Sequence, residues 1–223
     1  MERERWTEPG ARGNLERMAS NFFDKVYTTT AQDEVETLYD DWAGTYDDDV
    51  TGNGYMTPGR VAAALAAHLP ERSTPILDFA CGTGLSGMAL ADEGFSVIDG
   101  CDLSEPMLKT ARARGIYRHL VKLAPDEAPD AAPGDYGAIA AIGALSPGAA
   151  PAYYLEILLG CLAPGGLLAL SYNDHTLAEP EYTSRLARAV ETGAVAERFR
   201  EHGDHLVKLG SKSTVYILEK QAG

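Results

Sequence analysis

Two acids and a short glycine-rich stretch are the residues of this sequence whose types and spacing could bind a nucleotide-like ligand. Asp78 lies in an apolar run that continues into Gly82-Thr83-Gly84-Leu85-Ser86-Gly87, and Asp102 ends the next apolar run, residues 95–101. Glycines let a backbone approach a ligand closely, and an acid at a strand end can accept hydrogen bonds from both ribose hydroxyls. The pattern predicts a site for an adenosine-containing cofactor.

The acid at position 78 bears on which cofactor this is. The glycine spacing alone matches a dinucleotide fingerprint, in which the first glycine directly follows an uninterrupted apolar strand. Here Asp78 precedes Gly82, and Ala80 occupies the place of an earlier small residue. An acid at the mouth of the strand repels a pyrophosphate but suits a ligand with an ammonium group and a sulfonium. The residues favour the sulfonium ligand, and a nicotinamide-dependent oxidoreductase remains the alternative.

The motif Asp-x-Ala-x-Gly-x-Gly at residues 78–84 resembles the first motif of class I S-adenosylmethionine-dependent methyltransferases. Residues 38–47 resemble the segment ahead of the core in one branch of these enzymes. Residues 102–108, 113–117 and 142–146 together resemble the methyltransferase-like protein family named for the Williams–Beuren syndrome region, and the similarity runs from about residue 39 to about residue 170. The resemblance implies methyl transfer from S-adenosylmethionine and leaves the acceptor open. A non-catalytic sensor of this cofactor or its product would share the same motifs.

The resemblance also implies which residues bind the cofactor. Asp78 is expected to order its methionine end above a turn formed by Gly82 and Gly84, and Asp102 to bind its ribose. The full set of expected cofactor-binding residues is Tyr39, Trp42, Tyr46, Asp78, Ala80, Gly82, Gly84, Asp102, Leu103, Met107, Leu123 and Gly143. No catalytic residue is identified, because displacement at an activated sulfonium mainly requires alignment of the reactants.

The adenine end departs from the usual pattern of these enzymes. Many of them have an acid after the third strand that contacts the adenine amino group, whereas this chain has Lys122-Leu123-Ala124. Backbone groups and apolar packing are therefore expected to hold the adenine, with Leu103 and Met107 flanking it.

An acid-rich helix is predicted over residues 32–49, because Leu38, Trp42 and Tyr46 recur with a spacing of four. Tyr39, Trp42 and Tyr46 are expected to close the pocket as a lid; the alternative is ordinary packing of the helix on the core. Eight acids occur in this region without an intervening lysine or arginine: Asp33, Glu34, Glu36, Asp40, Asp41, Asp47, Asp48 and Asp49. They form either a solvated face or a rim that attracts a cationic acceptor.

Length and composition indicate one globular domain of 223 residues. Residues 1–31 are interpreted as an N-terminal extension and residues 32–223 as a methyltransferase domain, with cap helices over 32–70 and a Rossmann-like core over 75–223. The net charge of −14 argues against a nucleic-acid partner, so a small-molecule acceptor is expected. No apolar run is long enough for a membrane helix, and three cysteines without metal-ligand spacing indicate a reducing, cytoplasmic location. Nothing in the sequence indicates an oligomeric state.

The alternation of strand and helix patterns predicts an α/β fold with three layers. The class I methyltransferase fold implied here is Rossmann-like, with a mostly parallel seven-stranded sheet and one antiparallel strand in a C-terminal hairpin. Predicted strands are 75–80, 95–101, 118–123, 137–143, 167–172, 195–208 and 213–219; predicted helices are 57–69, 84–93, 105–114, 151–162 and 180–191. Thr57 is the expected N-cap of its helix.

The histidines are weaker candidates for chemistry. His175 follows a strand end, where an acceptor could bind, although a solvated loop is the simpler interpretation. His202, Asp204 and His205 could form a metal cluster, but no further ligand is placed beside them, and no metal is expected.

Overall fold

The computed structural model describes residues 25, 29 and 31–222. Its strands are β1 (Ile76–Phe79), β2 (Ile98–Asp102), β3 (Leu120–Lys122), β4 (Ala138–Ala141), β5 (Leu167–Asn173), β6 (Val195–Leu206) and β7 (Ser211–Lys220). Its helices are α1 (Gln32–Trp42), α2 (Tyr46–Gly52), α3 (Thr57–His68), α4 (Leu85–Asp92), α5 (Glu105–Arg114), α6 (Tyr154–Gly160), α7 (Asp174–Ala178) and α8 (Pro180–Glu191), with a 3₁₀ turn at Val207–Leu209.

The strands form one seven-stranded sheet in the order β3-β2-β1-β4-β5-β7-β6. Strand β1 pairs in parallel with β2 and β4, whereas β7 runs antiparallel to both β5 and β6. The predicted α/β fold with a C-terminal hairpin is confirmed. The direction of winding changes between β1 and β4, and ligands of open α/β sheets bind at the carboxyl ends of strands beside such a switch point.

Apolar layers cover both faces of the sheet. On one face Val61 and Leu65 of α3 pack with Leu90 of α4, and on the other Leu155 and Leu158 lie in α6. Because all four residues of β1 are buried, this strand reads as a continuous apolar run apart from Asp78. The core therefore fixes the position of β1, and with it the turn that follows.

The predicted helix over residues 32–49 is wrong as a single element, because residues 43–45 form a turn between α1 and α2. Gly44 has a low helix propensity, and the hydroxyl of Thr45 donates to Asp49 Oδ2 at 2.9 Å, which favours a new start of helix. This break sets the angle at which α1 and α2 cover the carboxyl end of the sheet.

The expected N-cap role of Thr57 is also wrong. Thr57 is already the first residue of α3, and its hydroxyl lies 2.8 Å from both His205 Nδ1 and Ser213 Oγ. A tertiary contact has replaced the local cap.

The loop expected at Asp174 and His175 is instead the start of α7. Asn173 caps this short helix, since its Oδ1 accepts a hydrogen bond from the Thr176 N–H at 2.9 Å. His202, Asp204 and His205 all lie in β6, within the predicted strand 195–208. Within the described part of the chain, no group of three or more metal-binding side chains occurs. None of the helices in that part is long and apolar enough to cross a membrane.

Candidate functional site

A deep cleft opens at the carboxyl ends of β1, β2 and β4 and encloses about 910 Å³ outside the protein atoms, part of it open to solvent. Most of the expected cofactor-binding residues line it: Tyr39, Tyr46, Ala80, Gly82, Asp102, Leu103, Met107, Leu123 and Gly143. We call this space the first cavity. The structure does not bring Trp42, Asp78 or Gly84 to its wall.

The turn after β1 forms the floor of the first cavity. Ala80, Gly82 and Gly84 have φ angles of +54°, +55° and +92°, so alternate residues adopt the left-handed conformation. The N–H of Gly84 donates to the Cys81 carbonyl at 2.9 Å, and α4 begins immediately afterwards. A turn this tight brings the backbone to the cavity wall, and the amino end of α4, at Leu85 and Ser86, also lines the cavity.

Ala80 is strained, since an alanine in the left-handed region costs about 1–2 kcal/mol relative to its normal conformation. We expect Ala80→Gly to raise the free energy of unfolding by about 0.5–1 kcal/mol, after allowing for the flexibility of glycine. Urea denaturation measures this change. Ala144→Gly is the control, because Ala144 also lines the cavity but has an ordinary φ, and it should lose stability. A loss of stability in Ala80→Gly would contradict the strain.

Asp102 lies at the end of β2, half-buried, with its carboxylate on the cavity wall. Oδ2 accepts from the Gly82 N–H at 2.8 Å and Oδ1 from the Ser104 N–H at 2.9 Å. A carboxylate has about four lone-pair positions, more than these backbone N–H groups use, so it can still accept from ligand hydroxyls. Burial raises the pKa of Asp102 to about 6. The geometry suits a group that accepts hydrogen bonds from a ribose.

Asp78 is completely buried behind the turn instead of facing the first cavity. Its Oδ2 accepts from the Ser86 hydroxyl at 2.6 Å and the Tyr117 hydroxyl at 2.7 Å, and burial raises its pKa to about 7. Ser86 does line the cavity. The expected direct contact of Asp78 with the methionine end therefore needs correction: the carboxylate can act on a ligand through Ser86.

Gly84 is required by packing rather than by ligand approach. A Cβ atom here would lie 3.1 Å from Arg114 Cδ and 3.1 Å from the ring of Tyr117. Both side chains pack against the turn on the side away from the cavity. The glycine of the motif is therefore needed here for packing within the protein.

The acids of α1 and α2 fasten these helices to the cavity rim. Asp47 accepts from the Thr83 hydroxyl at 2.5 Å and pairs with Arg114, whose Nε donates to the Thr83 carbonyl at 2.6 Å. Asp40 accepts from the Ser104 hydroxyl at 2.5 Å. The interpretation of all the acids as a solvated face or an attracting rim is therefore wrong for these two residues.

Glu36 is a further cavity-lining residue that the sequence analysis missed. It lies on the wall of the first cavity, and Lys122 Nζ donates to its Oε1 at 2.8 Å. Lys122 ends β3, so this pair joins α1 to the edge of the cavity near Leu123. No sequence signal connects Glu36 with Lys122, because the two are 86 residues apart.

A second cavity of about 490 Å³ adjoins the first one beneath α1 and α2. The two share Tyr39, Tyr46, Tyr55 and Gly143 in their walls, so they lie side by side. The second cavity is also lined by Trp42, Val50, Ser146, Asn173, His205 and Leu206. Trp42 thus belongs to this space, and the sequence analysis missed Tyr55, Ser146 and Asn173.

Comparisons with known proteins agree with this arrangement. A family model described as a methyltransferase domain matches residues 77–168. Human methyltransferase-like protein 27 is 38% identical over 137 residues, which cover 60% of this chain and 56% of that protein. The chain thus spans about half the length of the curated relatives it matches.

Two solved structures share the fold. The [4+2]-cyclase SpnF superposes with a TM-score of 0.66 at 16% identity, covering 87% of this chain and 97% of that chain. A Burkholderia thailandensis 1,6-didemethyltoxoflavin-N1-methyltransferase, solved with its substrate and S-adenosylhomocysteine, gives 0.64 at 15% identity, covering 87% and 92%. At such identities the similarity concerns the fold alone. The domain match and the human relative agree with the resemblance found in the sequence: residues 77–168 of the chain are similar to a methyltransferase domain, and the fold is that of a solved S-adenosylhomocysteine-bound methyltransferase.

Proposed function

We propose that this chain transfers the methyl group of S-adenosylmethionine to a small-molecule acceptor. The observation that carries the proposal is the junction of two cavities at the switch point of the sheet. One has the glycine turn and the carboxylate of Asp102 in its wall, and the other is lined by aromatic and neutral polar side chains. Cofactor and acceptor could thus bind side by side.

The side chains in the wall of the first cavity suit the chemical groups of the cofactor. Asp102 offers lone pairs to the ribose hydroxyls, and Leu103, Met107 and Leu123 provide apolar surface for a purine ring. Glu36 supplies a carboxylate on the same wall, which compensates for the missing acid after β3. No lysine or arginine lines the described wall, so a pyrophosphate would depend on the backbone N–H groups of the turn and of the amino end of α4 alone.

The protein's contribution to methyl transfer would be alignment. The bound cofactor supplies a methyl group already activated by a sulfonium, so no strong base or metal is needed for that activation. The turn and Asp102 fix the cofactor in the first cavity, while Tyr39, Tyr46 and Tyr55, which border both cavities, limit access of water. Fixing the direction of approach is a large part of catalysis in such a displacement.

Support for a small acceptor comes from enclosure and charge. The helices α1 and α2 cover both cavities, and the net charge of −14 disfavours the phosphates of nucleic acid. We further infer that residues 32–223 form one domain. We also infer that the protein works in the reducing cytoplasm, because its three cysteines are buried and unpaired.

The direct test is a metabolite screen with methyl-labelled S-adenosylmethionine and the purified protein. The proposal predicts transfer of label to at least one small molecule, with formation of S-adenosylhomocysteine. Tight binding of the cofactor with no transfer to any metabolite would instead indicate a sensor.

Cofactor binding should order the lid, residues 32–50. Tyr39 and Tyr46 line the first cavity, so a bound ligand adds packing surface to α1 and α2 and makes local opening rarer. Amide hydrogen exchange of residues 32–50 should slow when S-adenosylhomocysteine is added, and by more than in α5. Equal protection with and without ligand would mean that these helices are a fixed cap held by contacts such as Asp40–Ser104.

Binding of S-adenosylhomocysteine should weaken as the pH falls through about 6. Because burial raises the pKa of Asp102 to about 6, its carboxyl is mostly protonated near pH 5 and then accepts ribose hydrogen bonds poorly. We expect about a tenfold loss of affinity between about pH 7.5 and about pH 5, measured by calorimetry. Asp102→Asn is uncharged at every pH, so this variant should lose most of the pH dependence of binding. We assign any dependence that remains to Asp78, whose pKa is about 7. An equal dependence in both proteins would contradict the role of Asp102.

A further inference from the structure

A chain of hydrogen bonds leads from the surface to His205 in the second cavity. Arg60 Nη1 donates to Ser213 Oγ at 3.0 Å, Ser213 Oγ lies 2.8 Å from Thr57 Oγ1, and Thr57 Oγ1 lies 2.8 Å from His205 Nδ1. His205 is 7% exposed, and Thr57 and Ser213 are buried more completely. The arrangement joins α3, β6 and β7 at a position that the proposed function does not explain.

The direction of the hydrogen bonds follows from Arg60, which can only donate. Its guanidinium is fixed by the Asp204 carbonyl at 3.0 Å and by an ion pair with Glu201 at 3.0 Å. Ser213 accepts from Arg60, so its own proton goes to Thr57 Oγ1, and the Thr57 proton goes to His205 Nδ1. The reverse order would leave the Ser213 proton without an acceptor among the described hydrogen bonds.

This direction fixes the tautomer of His205. With Nδ1 accepting, the neutral imidazole carries its proton on Nε2. Burial lowers the pKa of His205 to about 4, so the ring is neutral near physiological pH. No described residue forms a hydrogen bond with Nε2, and the ring lies in the wall of the second cavity. His205 therefore has an N–H donor on the side of its ring away from Thr57, in a side chain that lines the cavity.

The remainder of the wall selects against negative charge. Its rings are Tyr39, Trp42, Tyr46, Tyr55 and His205, and its other polar side chains are Ser146 and Asn173. No lysine or arginine is among the described lining residues. The indole Nε1 of Trp42 donates to Asp49 Oδ2 at 2.8 Å, which fixes the plane of the ring and places a carboxylate nearby. A carboxylate ligand would find no counter-charge here, whereas a planar ring could stack on aromatic surface.

We propose that the second cavity is the acceptor site, that it takes a planar, uncharged aromatic molecule, and that His205 Nε2–H donates to a hydrogen-bond-accepting atom of that molecule. The inference rests on the proposed function, because the molecule in this cavity is an acceptor only if the protein transfers a methyl group. In the transfer, the nucleophilic atom of the acceptor bonds to the methyl carbon while the carbon–sulfur bond breaks toward sulfur. A proton displaced from that atom passes to water, because Nε2 of His205 already carries a proton in this tautomer.

Benzamide and benzoate are matched probes, since they are nearly equal in size and shape and differ in charge. Each is titrated by ligand-observed NMR with and without S-adenosylhomocysteine. We expect benzamide to bind at least tenfold more tightly than benzoate. His205→Phe keeps an aromatic ring but removes the donor, and it should weaken benzamide about fivefold while S-adenosylhomocysteine binds normally. His202→Phe, on the same strand but half-exposed and outside the cavity wall, should leave benzamide binding unchanged.

The outcomes separate the two proposals. Failure of S-adenosylhomocysteine to bind would count against the proposed function alone. Three results would each overturn the inference about the second cavity. Benzoate could bind as tightly as benzamide, neither probe could bind, or benzamide could bind His205→Phe with unchanged affinity.

The tautomer has an independent readout. Nitrogen NMR of histidine-labelled protein near neutral pH should show His205 as the Nε2–H form, and Thr57→Val should reduce the population of this form. Observation of the Nδ1–H form in the unchanged protein would overturn the assigned direction of the hydrogen bonds.

Discussion

Replacing Asp102 by alanine should weaken the binding of S-adenosylhomocysteine by about 1.5–3 kcal/mol, roughly ten- to a hundredfold, without unfolding the domain. Asp102 lies at the end of β2 on the wall of the first cavity, where a charged acceptor can bond two ribose hydroxyls. Its present partners are the backbone N–H groups of Gly82 and Ser104, so alanine also removes the link that holds the turn against β2.

Two further variants separate these contributions. Asp102→Asn keeps an oxygen for the Gly82 N–H but lacks the charge, and its loss of affinity should be intermediate. Asp99→Ala, on the same strand, removes a buried acid that pairs with Arg118 outside the cavity, so it should lower stability and leave affinity unchanged. Calorimetry that shows normal affinity in a folded Asp102→Ala protein would contradict the assignment.

Gly84→Val should abolish measurable binding of S-adenosylhomocysteine and lower the free energy of unfolding by about 2–5 kcal/mol. Valine is unfavourable at a φ of +92°, and its Cβ would press on Arg114 and Tyr117 at 3.1 Å. To relieve that contact the turn must move, and Gly82, which lies in the cavity wall, moves with it. Circular dichroism should still show an α/β signature, because the strained segment is a short turn.

Gly115→Val is the matched control for this substitution. Gly115 ends α5 with a φ of +67° but has no atom within 4 Å of an added Cβ, so the variant measures the backbone strain alone. It should lose stability and keep its affinity for the ligand. Normal binding by Gly84→Val would mean that the turn is not the cofactor cradle.

Features determined by local contacts could be predicted from the sequence. Helix α5 occupies the predicted residues 105–114, because Ser104 caps it and Gly115 adopts the left-handed conformation after it. Asp102 lies on the cavity wall because it ends an inner parallel strand, and the carboxyl ends of such strands meet at one edge of the sheet; its binding of the ribose stays a prediction. Alternating strands and helices were sufficient for the fold class.

Features that depend on distant contacts could not be predicted in this way. Asp78 has the expected position in the motif, but Tyr117 and Ser86 hold its carboxylate behind the turn. Thr57 looked like a helix cap, whereas its partner His205 is 148 residues away in the sequence. No pattern of residue types encodes such pairings, because they arise only when separate elements pack together.

The acids of α1 and α2 illustrate the same point. In sequence they form an uninterrupted acidic run, and a solvated face is the simplest interpretation of such a run. In the fold, Asp47 meets Thr83 and Arg114, and Asp40 meets Ser104. Acids in this region therefore help to position the lid over the first cavity.

The central claim, that the first cavity binds S-adenosylmethionine, is tested most directly by calorimetric titration of the purified protein with S-adenosylmethionine, S-adenosylhomocysteine and NAD. We predict saturable binding of the first two with one site per chain and no binding of NAD. Binding of NAD in place of the two sulfur ligands, or no binding of any of the three by the folded protein, would contradict it.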